Sequence, residues 1–82
     1  MKNYNDDIGK WLKKQRELKH KNQQDVADYF GTTKTAVHYW ETGKRQITAE
    51  TMMRYCYYLG VDPQDLIRDI TESERLYARL QR

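Results

Sequence analysis

The sequence is short of several features that define whole classes of protein. It has a single cysteine among 82 residues, so no disulfide can form within the chain. Its apolar runs stay far below the roughly 20 residues that cross a bilayer. The first residues, MKNYNDDIGK, lack the apolar core of a secretion signal. We therefore expect a cytoplasmic protein that neither spans a membrane nor is exported.

Groups that carry out chemistry are also scarce. The two histidines, His20 and His38, together with Cys56 are too few for a convincing zinc site, and we interpret Cys56 as a small buried hydrophobe. The carboxylates are scattered, so none forms a recognisable pair of general acid and base, and no glycine-rich phosphate loop is present. The sequence therefore predicts a protein that is not an enzyme and that holds no metal and no cofactor.

What remains is typical of a small helical domain. Only one proline and four glycines interrupt the chain, and 38% of the residues are hydrophobic while 33% are charged. A domain of this length buries only about two-thirds of its unfolded surface, so its stability margin is thin. The composition favours a folded, helix-rich domain over a disordered chain.

The net charge of +3 is concentrated in the first part of the chain. Residues 1–50 hold ten Lys or Arg and seven Asp or Glu, whereas residues 51–82 hold five of each kind. Six of the basic residues fall between Lys10 and Lys21. Nucleic-acid binding requires a positive field of this kind, although a solvated helix face explains it equally well.

Helical periodicity and capping residues predict five helices and no strand. The helices are expected over about residues 6–20, 23–29, 34–41 and 49–59 and from residue 63 onward, with the caps Asn5, Asn22, Thr33, Thr48 and Asp62. Gly31 and Gly60 follow as helix stops, and Pro63 stands at a favoured first position. Thr71 and Glu74 match a capping box, which predicts a separate short helix after residue 70. The expected fold is a compact all-α bundle of five to six helices.

The stretch from Asn22 to Arg45 is the most informative part of the chain. Its two short helices are joined by Gly31-Thr32-Thr33, a connection short enough for a steep helix crossing. One face of the pair is apolar and holds Val26, Ala27, Phe30, Val37 and Trp40. The rest of the second helix is polar, and basic residues flank it. This pattern predicts a helix that enters the major groove of DNA rather than an ordinary surface helix.

The same stretch carries a family resemblance. The chain resembles the lambda-repressor-like (Cro/cI, or XRE) helix-turn-helix family over about residues 8–68. The matching positions, in order, are Leu12-Lys13-Lys14-Gln15-Arg16, Gln23, Ala27, Gly31, Val37, Trp40-Glu41, Gly43 and Leu59-Gly60-Val61. The ordered set at these spacings carries the resemblance, since no single motif in it is decisive.

The resemblance implies a role in binding double-stranded DNA for particular positions. The positions that match base-reading residues are Lys34, Thr35, His38 and Tyr39. The positions that match phosphate-contacting residues are Gln23, Thr33, Thr42, Lys44 and Arg45. Gln23 is also expected to brace the third helix. Arg16 matches an arginine that pairs with Glu41 and holds the third helix in place.

The chain departs from the family pattern at three places. His20-Lys21 stand where a glycine and an apolar residue are usual, and Gln15 stands where an apolar residue is common. Three tyrosines of the fourth helix, Tyr55, Tyr57 and Tyr58, are bulkier than the usual residues. None of these departures falls on a predicted base-reading position.

Seven tyrosines exceed what a domain of this size can bury, and exposed aromatic residues favour interfaces. The candidates for a surface that pairs two copies of the chain are Tyr57, Tyr58, Leu76, Tyr77 and Leu80. Alternatively, the last helix folds back and completes the core of the monomer. We divide the chain into a DNA-binding domain over residues 1–70 and a C-terminal helical extension over residues 71–82, which is a candidate dimerisation element.

The expected function is sequence-specific regulation of transcription in a bacterial or phage setting. The leading hypothesis is a repressor of phage, mobile-element or plasmid type that acts as a homodimer on a near-palindromic operator. One alternative is an antitoxin that binds both DNA and a partner toxin. Another is a protein-interaction module with a degenerate helix-turn-helix.

Overall fold

A computed structural model describes residues 4–80, apart from the side chain of Tyr77. Its five helices are α1 (Tyr4–Leu18), α2 (Gln23–Phe30), α3 (Lys34–Thr42), α4 (Ala49–Leu59) and α5 (Pro63–Leu80). The described residues contain no strand, and the predicted all-α fold is confirmed. In the bundle, α1 lies against α3, α4 and α5, while α2 packs on α3 and α4.

The middle helices begin at the residues predicted from local signals, α4 also ends as predicted, and α2 and α3 each end one residue later than predicted. The Asn22 side chain accepts the Asp25 amide and the Asp25 side chain accepts the Asn22 amide, so a capping box starts α2. The Thr33 and Thr48 hydroxyl oxygens accept backbone amides in the first turns of α3 and α4. Gly31 ends α2 in the left-handed conformation, with φ 66°, which a glycine adopts without steric cost.

Predicted boundaries of the two outer helices, α1 and α5, are wrong. α1 already includes Tyr4, so Asn5 lies inside the helix and is not its cap. α5 continues without a break through Thr71 and Glu74, which therefore do not start a separate helix. The Thr71 hydroxyl instead donates to the Ile67 carbonyl, 2.7 Å away, because a threonine inside a helix can bond back to the preceding turn. The division of the chain at residue 70 falls within this helix and stays a prediction.

α1 ends at Leu18, two residues before the predicted end, and the residue that turns the chain is not a glycine. His20 has φ 59°. The amides of His20 and Lys21 bond to the carbonyls of Glu17 and Arg16, which is the Schellman arrangement that usually has a glycine at this point. A left-handed conformation costs an L-residue about 1–2 kcal/mol, so His20 fills the usual glycine position at the expense of stability.

The core forms where the apolar faces of all five helices meet. Its buried residues are Leu12, Val26, Ala27, Val37, Ile47, Tyr55, Cys56, Leu59 and Leu66. Trp40 packs against this cluster, as predicted. Two large apolar residues lie outside it, since Leu18 is 61% and Ile67 56% exposed. α1 buries the face that contains Arg16, and a residue two positions later points to the far side of a helix.

α5 is longer than the core that it covers. Trp11 Nε1 donates to Asp69 Oδ2 at 2.8 Å, and the Tyr4 hydroxyl donates to the Glu74 carboxylate at 2.8 Å. These bonds hold α5 antiparallel to α1, so the turns of α5 after Glu74 lie past the first described turn of α1. Leu76, in those turns, is 59% exposed. This part of α5 is therefore not packed into the core.

Candidate nucleic-acid interface

α2 and α3 form a helix-turn-helix that is fixed from its inner side. Val26 and Ala27 of α2 and Val37 of α3 are all fully buried, so small and β-branched side chains separate the two helices. The turn between them is closed by backbone bonds, including one from the Thr32 amide to the Ala27 carbonyl at 2.9 Å. The relative position of the two helices is thus set by the core and leaves the outer side of α3 free.

Gly9 is the point at which α1 approaches the end of α3. A Cβ at position 9 would lie 2.5 Å from the carbonyl oxygens of Trp40 and Glu41. Only a residue without a Cβ allows this contact between backbones. Gly9 was not predicted from the sequence, although an isolated glycine inside a helical pattern is a signal for close packing.

The outer face of α3 carries the four residues that the resemblance assigns to base reading. Lys34, Thr35 and His38 are exposed, and Tyr39 is half-buried. Lys34 and His38 are four positions apart, as are Thr35 and Tyr39, so all four side chains share one side of the helix. This side presents an ammonium, a hydroxyl, an imidazole and a phenol.

Two cations stand beside Tyr39 at the end of α3. The Lys44 Nζ lies 5.7 Å and the Arg45 guanidinium carbon 5.6 Å from the centroid of the Tyr39 ring. Gly43 reverses the chain between α3 and these residues with φ 77°. Cation–π attraction holds both charges next to the outer face of α3, so the expected phosphate-binding and base-reading groups are neighbours.

The two threonines expected near phosphate have different hydrogen-bonding capacity. The Thr33 oxygen accepts the Ala36 amide at 3.1 Å, and a hydroxyl that accepts can still donate its hydrogen. The Thr42 hydroxyl donates to the His38 carbonyl at 2.9 Å. In this conformation Thr42 retains only acceptor capacity, which phosphate oxygens cannot use. Thr33 is therefore the better donor to a phosphate.

Gln23 links the buried side of α3 to its outer face. Its Nε2 donates to Glu41 Oε1 at 3.0 Å and lies 3.4 Å from His38 Nδ1. Gln23 thus braces α3, as the resemblance implied. Because the Gln23 amide nitrogen already lies against two groups of α3, a phosphate that binds it would compete with these contacts.

The Glu41 carboxylate connects α3 to three other helices. Arg16 of α1 donates to both of its oxygens, from Nε to Oε2 at 2.7 Å and from Nη2 to Oε1 at 3.0 Å. Tyr55 of α4 donates to Oε2 at 2.5 Å, and Gln23 of α2 donates to Oε1. Arg16 is 7% and Glu41 3% exposed. The structure therefore contains the Arg16–Glu41 pair that the resemblance implied, and the pair is buried. Tyr55 is a further partner of Glu41 that was not predicted from the sequence.

The network determines the protonation states of its members. Burial alone raises the pKa of a carboxyl group, but the hydrogen bonds from Arg16, Tyr55 and Gln23 outweigh burial and hold the pKa of Glu41 below its ordinary value. The hydrogen bond to Glu41 raises the pKa of Arg16. Burial, followed by the bond to Glu41, raises the pKa of Tyr55. At neutral pH the network is an ionised pair with a neutral phenol donor.

The candidate residues for self-association lie in two separate places. Tyr57 is 80% exposed at the end of α4, and the ring of Tyr58 stacks on a tyrosine of α2 with centroids 4.6 Å apart. Leu76 and Leu80 lie on the far part of α5, 59% and 74% exposed, and the side chain of Tyr77 is outside the described residues. About 20 Å of helix, at 1.5 Å per residue, separates the start of α5 from Leu76. The four described candidates therefore lie in two places and do not form one compact patch.

The thiol and the acidic groups form no second site in the described part of the chain. Cys56 is buried, and burial together with Asp62 raises the pKa of its thiol to about 11, so the reactive thiolate is a minor species at neutral pH. Within residues 4–80, no three His, Cys, Asp or Glu side chains are grouped as metal ligands. None of the described helices is both long enough and apolar enough to cross a membrane.

Comparison with known proteins identifies the family to which the chain belongs. The model of a helix-turn-helix family matches residues 12–66, from α1 into α5, and so includes the whole of α2 and α3. Searches of curated proteins and of solved structures gave no match. Since the family match covers well over half of the chain and agrees with the observed helices, the chain belongs to the XRE-type (Cro/cI-like) helix-turn-helix family of DNA-binding transcription regulators.

Proposed function

We propose that the chain is a transcriptional repressor of phage, mobile-element or plasmid type that binds a near-palindromic operator as a dimer. The observation that carries the proposal is the outer face of α3. It presents four side chains able to contact bases, beside two cations, on a helix whose inner side is bonded to three other helices through Glu41. Repression by occlusion of polymerase needs only tight and specific binding, which such a surface supplies.

The base-reading part of the proposal rests on the chemistry of the exposed side chains. The Lys34 ammonium can donate to guanine N7 and O6, and Thr35 can bond to a base edge or touch a thymine methyl. His38, farther along the same side of α3, offers a ring nitrogen as donor or acceptor. These groups differ in hydrogen-bonding pattern, so together they can discriminate between base sequences.

The phosphate-binding part rests on the charges at both ends of α3. Lys44 and Arg45 follow the helix, and the Thr33 hydroxyl stands at its N-terminus, where the helix dipole favours an anion. Gln23 and Thr42 belong to this group by resemblance. Contacts to phosphates give affinity that falls with salt and carries no base preference. The two sets of residues therefore make separable contributions to binding.

Because base-reading and phosphate-binding residues contribute separately, Lys34→Ala and Lys44→Ala should have different effects on DNA binding. A preferred duplex is first selected from a random pool with the wild-type chain, and affinities for it and for a scrambled duplex are then measured over a range of salt concentrations. Lys34→Ala should lower the preference for the selected duplex by about 5- to 100-fold. Lys44→Ala should weaken binding to both duplexes alike and reduce the slope of log affinity against log salt by about one.

Arg68→Ala is the matched control, because Arg68 is an exposed arginine of α5 that pairs with Asp65 at 3.0 Å and lies off α3. It should change neither the preference nor the salt slope. If Lys34→Ala and Lys44→Ala both bind DNA like the wild type at low salt, α3 is not the reading surface. Absence of any preferred duplex would instead favour the protein-interaction alternative.

The dimer part of the proposal is supported by the exposed end of α5. Dimers of helix-turn-helix proteins read half-sites about one helical turn, roughly 34 Å, apart, so a separate surface must pair the two copies. Leu76 and Leu80 lie four positions apart on one side of a helix that extends beyond the core. Burying two such leucines contributes about 3–6 kcal/mol, which makes this end of α5 our preferred interface.

We expect the double substitution Leu76→Glu and Leu80→Glu to weaken dimerisation by at least about 100-fold, because it places charge on the apolar face. Sedimentation equilibrium of the full chain, compared with the wild type, measures the change. Tyr57→Glu is the matched control at the other candidate patch and should leave the dimer intact. Loss of the dimer in Tyr57→Glu alone would move the interface to α4, and a monomeric wild type would rule out the dimer.

A further inference from the structure

Tyr55 differs from the other residues that line the inner face of α4. Its side chain is fully buried, like that of Cys56 beside it, yet it carries a hydroxyl. A buried hydroxyl without a partner is costly, and the partner here is the Glu41 carboxylate, 2.5 Å away. The hydroxyl is therefore specific to a contact between α4 and α3, whereas the ring alone would fill the core.

The contact fixes the Glu41 carboxylate, which also accepts hydrogen bonds from Arg16 and Gln23. Glu41 Oε2 accepts from Tyr55 and from Arg16 Nε, while Oε1 accepts from Arg16 Nη2 and from Gln23 Nε2. Each oxygen thus has two donors, and the plane of the carboxylate is determined from both sides. The Gln23 amide extends the connection to His38, 3.4 Å away, on the outer face.

We propose that Tyr55 is a positioning residue for DNA reading: its hydroxyl sets the orientation of the Glu41 carboxylate, and through it the placement of Gln23 and His38 at the DNA-facing surface. The inference rests on the proposed function of α3. Tyr55 itself touches no DNA, since it lies in the core. Its effect reaches the surface because four helices meet at one buried carboxylate.

Removal of the hydroxyl leaves Glu41 Oε2 with Arg16 as its remaining donor in this network. The carboxylate can then rotate toward the guanidinium, and Gln23 loses its fixed acceptor. The cations Lys44 and Arg45 stand beside Tyr39 and have no contact in this network. Base discrimination should therefore fall, whereas the salt-dependent affinity that Lys44 and Arg45 supply should persist and only the neutral phosphate contact expected of Gln23 should weaken. A general loss of stability would not produce this combination.

The test compares Tyr55→Phe with the wild type on the selected and the scrambled duplex. We expect the preference for the selected duplex to fall about tenfold, with a smaller loss of affinity for the scrambled duplex and an unchanged salt slope. Tyr58→Phe is the matched control, because it removes a hydroxyl from the same helix at a ring that stacks on α2, and it should keep the full preference. Circular dichroism at the assay temperature establishes that both variants are folded.

An unchanged preference in folded Tyr55→Phe overturns the inference, and so does an equal loss of affinity for both duplexes. If Tyr55→Phe does not fold, the wild-type chain provides the measurement: the NMR signal of the buried Tyr55 hydroxyl proton should shift on addition of the selected duplex and not of the scrambled one. No shift with either duplex overturns the inference. If the wild type has no preferred duplex, the proposed function of α3 is wrong. This outcome is distinct from the failure of the Tyr55 inference, in which the wild type has a preferred duplex.

Discussion

Arg16→Ala is expected to lower the free energy of unfolding by about 3–5 kcal/mol. The substitution leaves the Glu41 carboxylate, 3% exposed, without the guanidinium that donates to both of its oxygens. It also removes a bond from Arg16 Nη1 to the Lys21 carbonyl at 2.8 Å. A domain of this size has about 4–12 kcal/mol of stability in total, so the substitution should remove a large share of it. Urea denaturation followed by circular dichroism measures the change.

The chain contains a matched control for this prediction. Arg54 and Glu50 form an ion pair of 3.0 Å on the surface of α4, with both side chains mostly exposed. Arg54→Ala should cost about 0.5 kcal/mol or less, because solvent screens exposed pairs. Equal small losses for Arg54→Ala and Arg16→Ala would mean that burial does not strengthen the interior pair. A double substitution, Arg16→Met with Glu41→Gln, should be more stable than Arg16→Ala, since it leaves no buried charge.

The same variant should have a different dependence on pH. In the wild type the pKa of Glu41 is lowered by folding, so its stabilisation is present above the pKa of an unfolded glutamate, about 4.3, and is lost as the pH falls through the lower folded pKa. Without Arg16, burial dominates and should raise the pKa of Glu41. Stability of the variant should then increase as the pH falls through that raised pKa. The difference between wild type and Arg16→Ala is therefore largest at neutral pH and shrinks in acid.

The boundaries of the middle helices could be predicted because their signals are local. Asn22, Thr33 and Thr48 stand three residues before the amides that they cap, and that spacing is visible in the sequence. Thr71 and Glu74 have the same spacing but lie inside α5. A capping box stabilises a helix start only where the chain is not already helical, and the helix that begins at Pro63 continues through this point. Local signals therefore predict where a helix can begin, but they do not exclude that an earlier helix continues through the same residues.

The outer face of α3 could also be predicted, because a period of 3.6 residues separates Lys34 and His38 from Val37 and Trp40. The inner contacts could not. Periodicity marks Arg16 as a polar residue of α1, and only the resemblance paired it with Glu41. The hydrogen bond from the Tyr55 hydroxyl to Glu41 depends on how α4 crosses α3. The residue pattern within a single helix does not indicate that crossing. The sequence thus predicted which side of α3 faces outward but not what fixes its orientation.

Gly9→Ala is expected to destabilise the protein, which is the opposite of what ordinary helix propensity predicts. Inside a helix, alanine is favoured over glycine by about 1 kcal/mol. At position 9, however, the added methyl would lie 2.5 Å from the carbonyl oxygens of Trp40 and Glu41, which are backbone atoms and cannot rotate away. Overpacking of this kind costs about 1–3 kcal/mol or more, so we expect a net loss of about 1–2 kcal/mol in the free energy of unfolding.

The control for Gly9→Ala is Lys10→Ala on the next, exposed position of α1, which should change stability by no more than about 0.5 kcal/mol. Because the clash is with the last turn of α3, any relaxation must move that helix away from α1 and with it the carboxylate of Glu41. Folded Gly9→Ala should therefore also lose preference for the selected duplex, while Lys10→Ala keeps it. A variant that is as stable as the wild type, or more stable, would show that α1 and α3 separate at little cost. In that case the close approach at Gly9 would not be what sets the position of the reading helix.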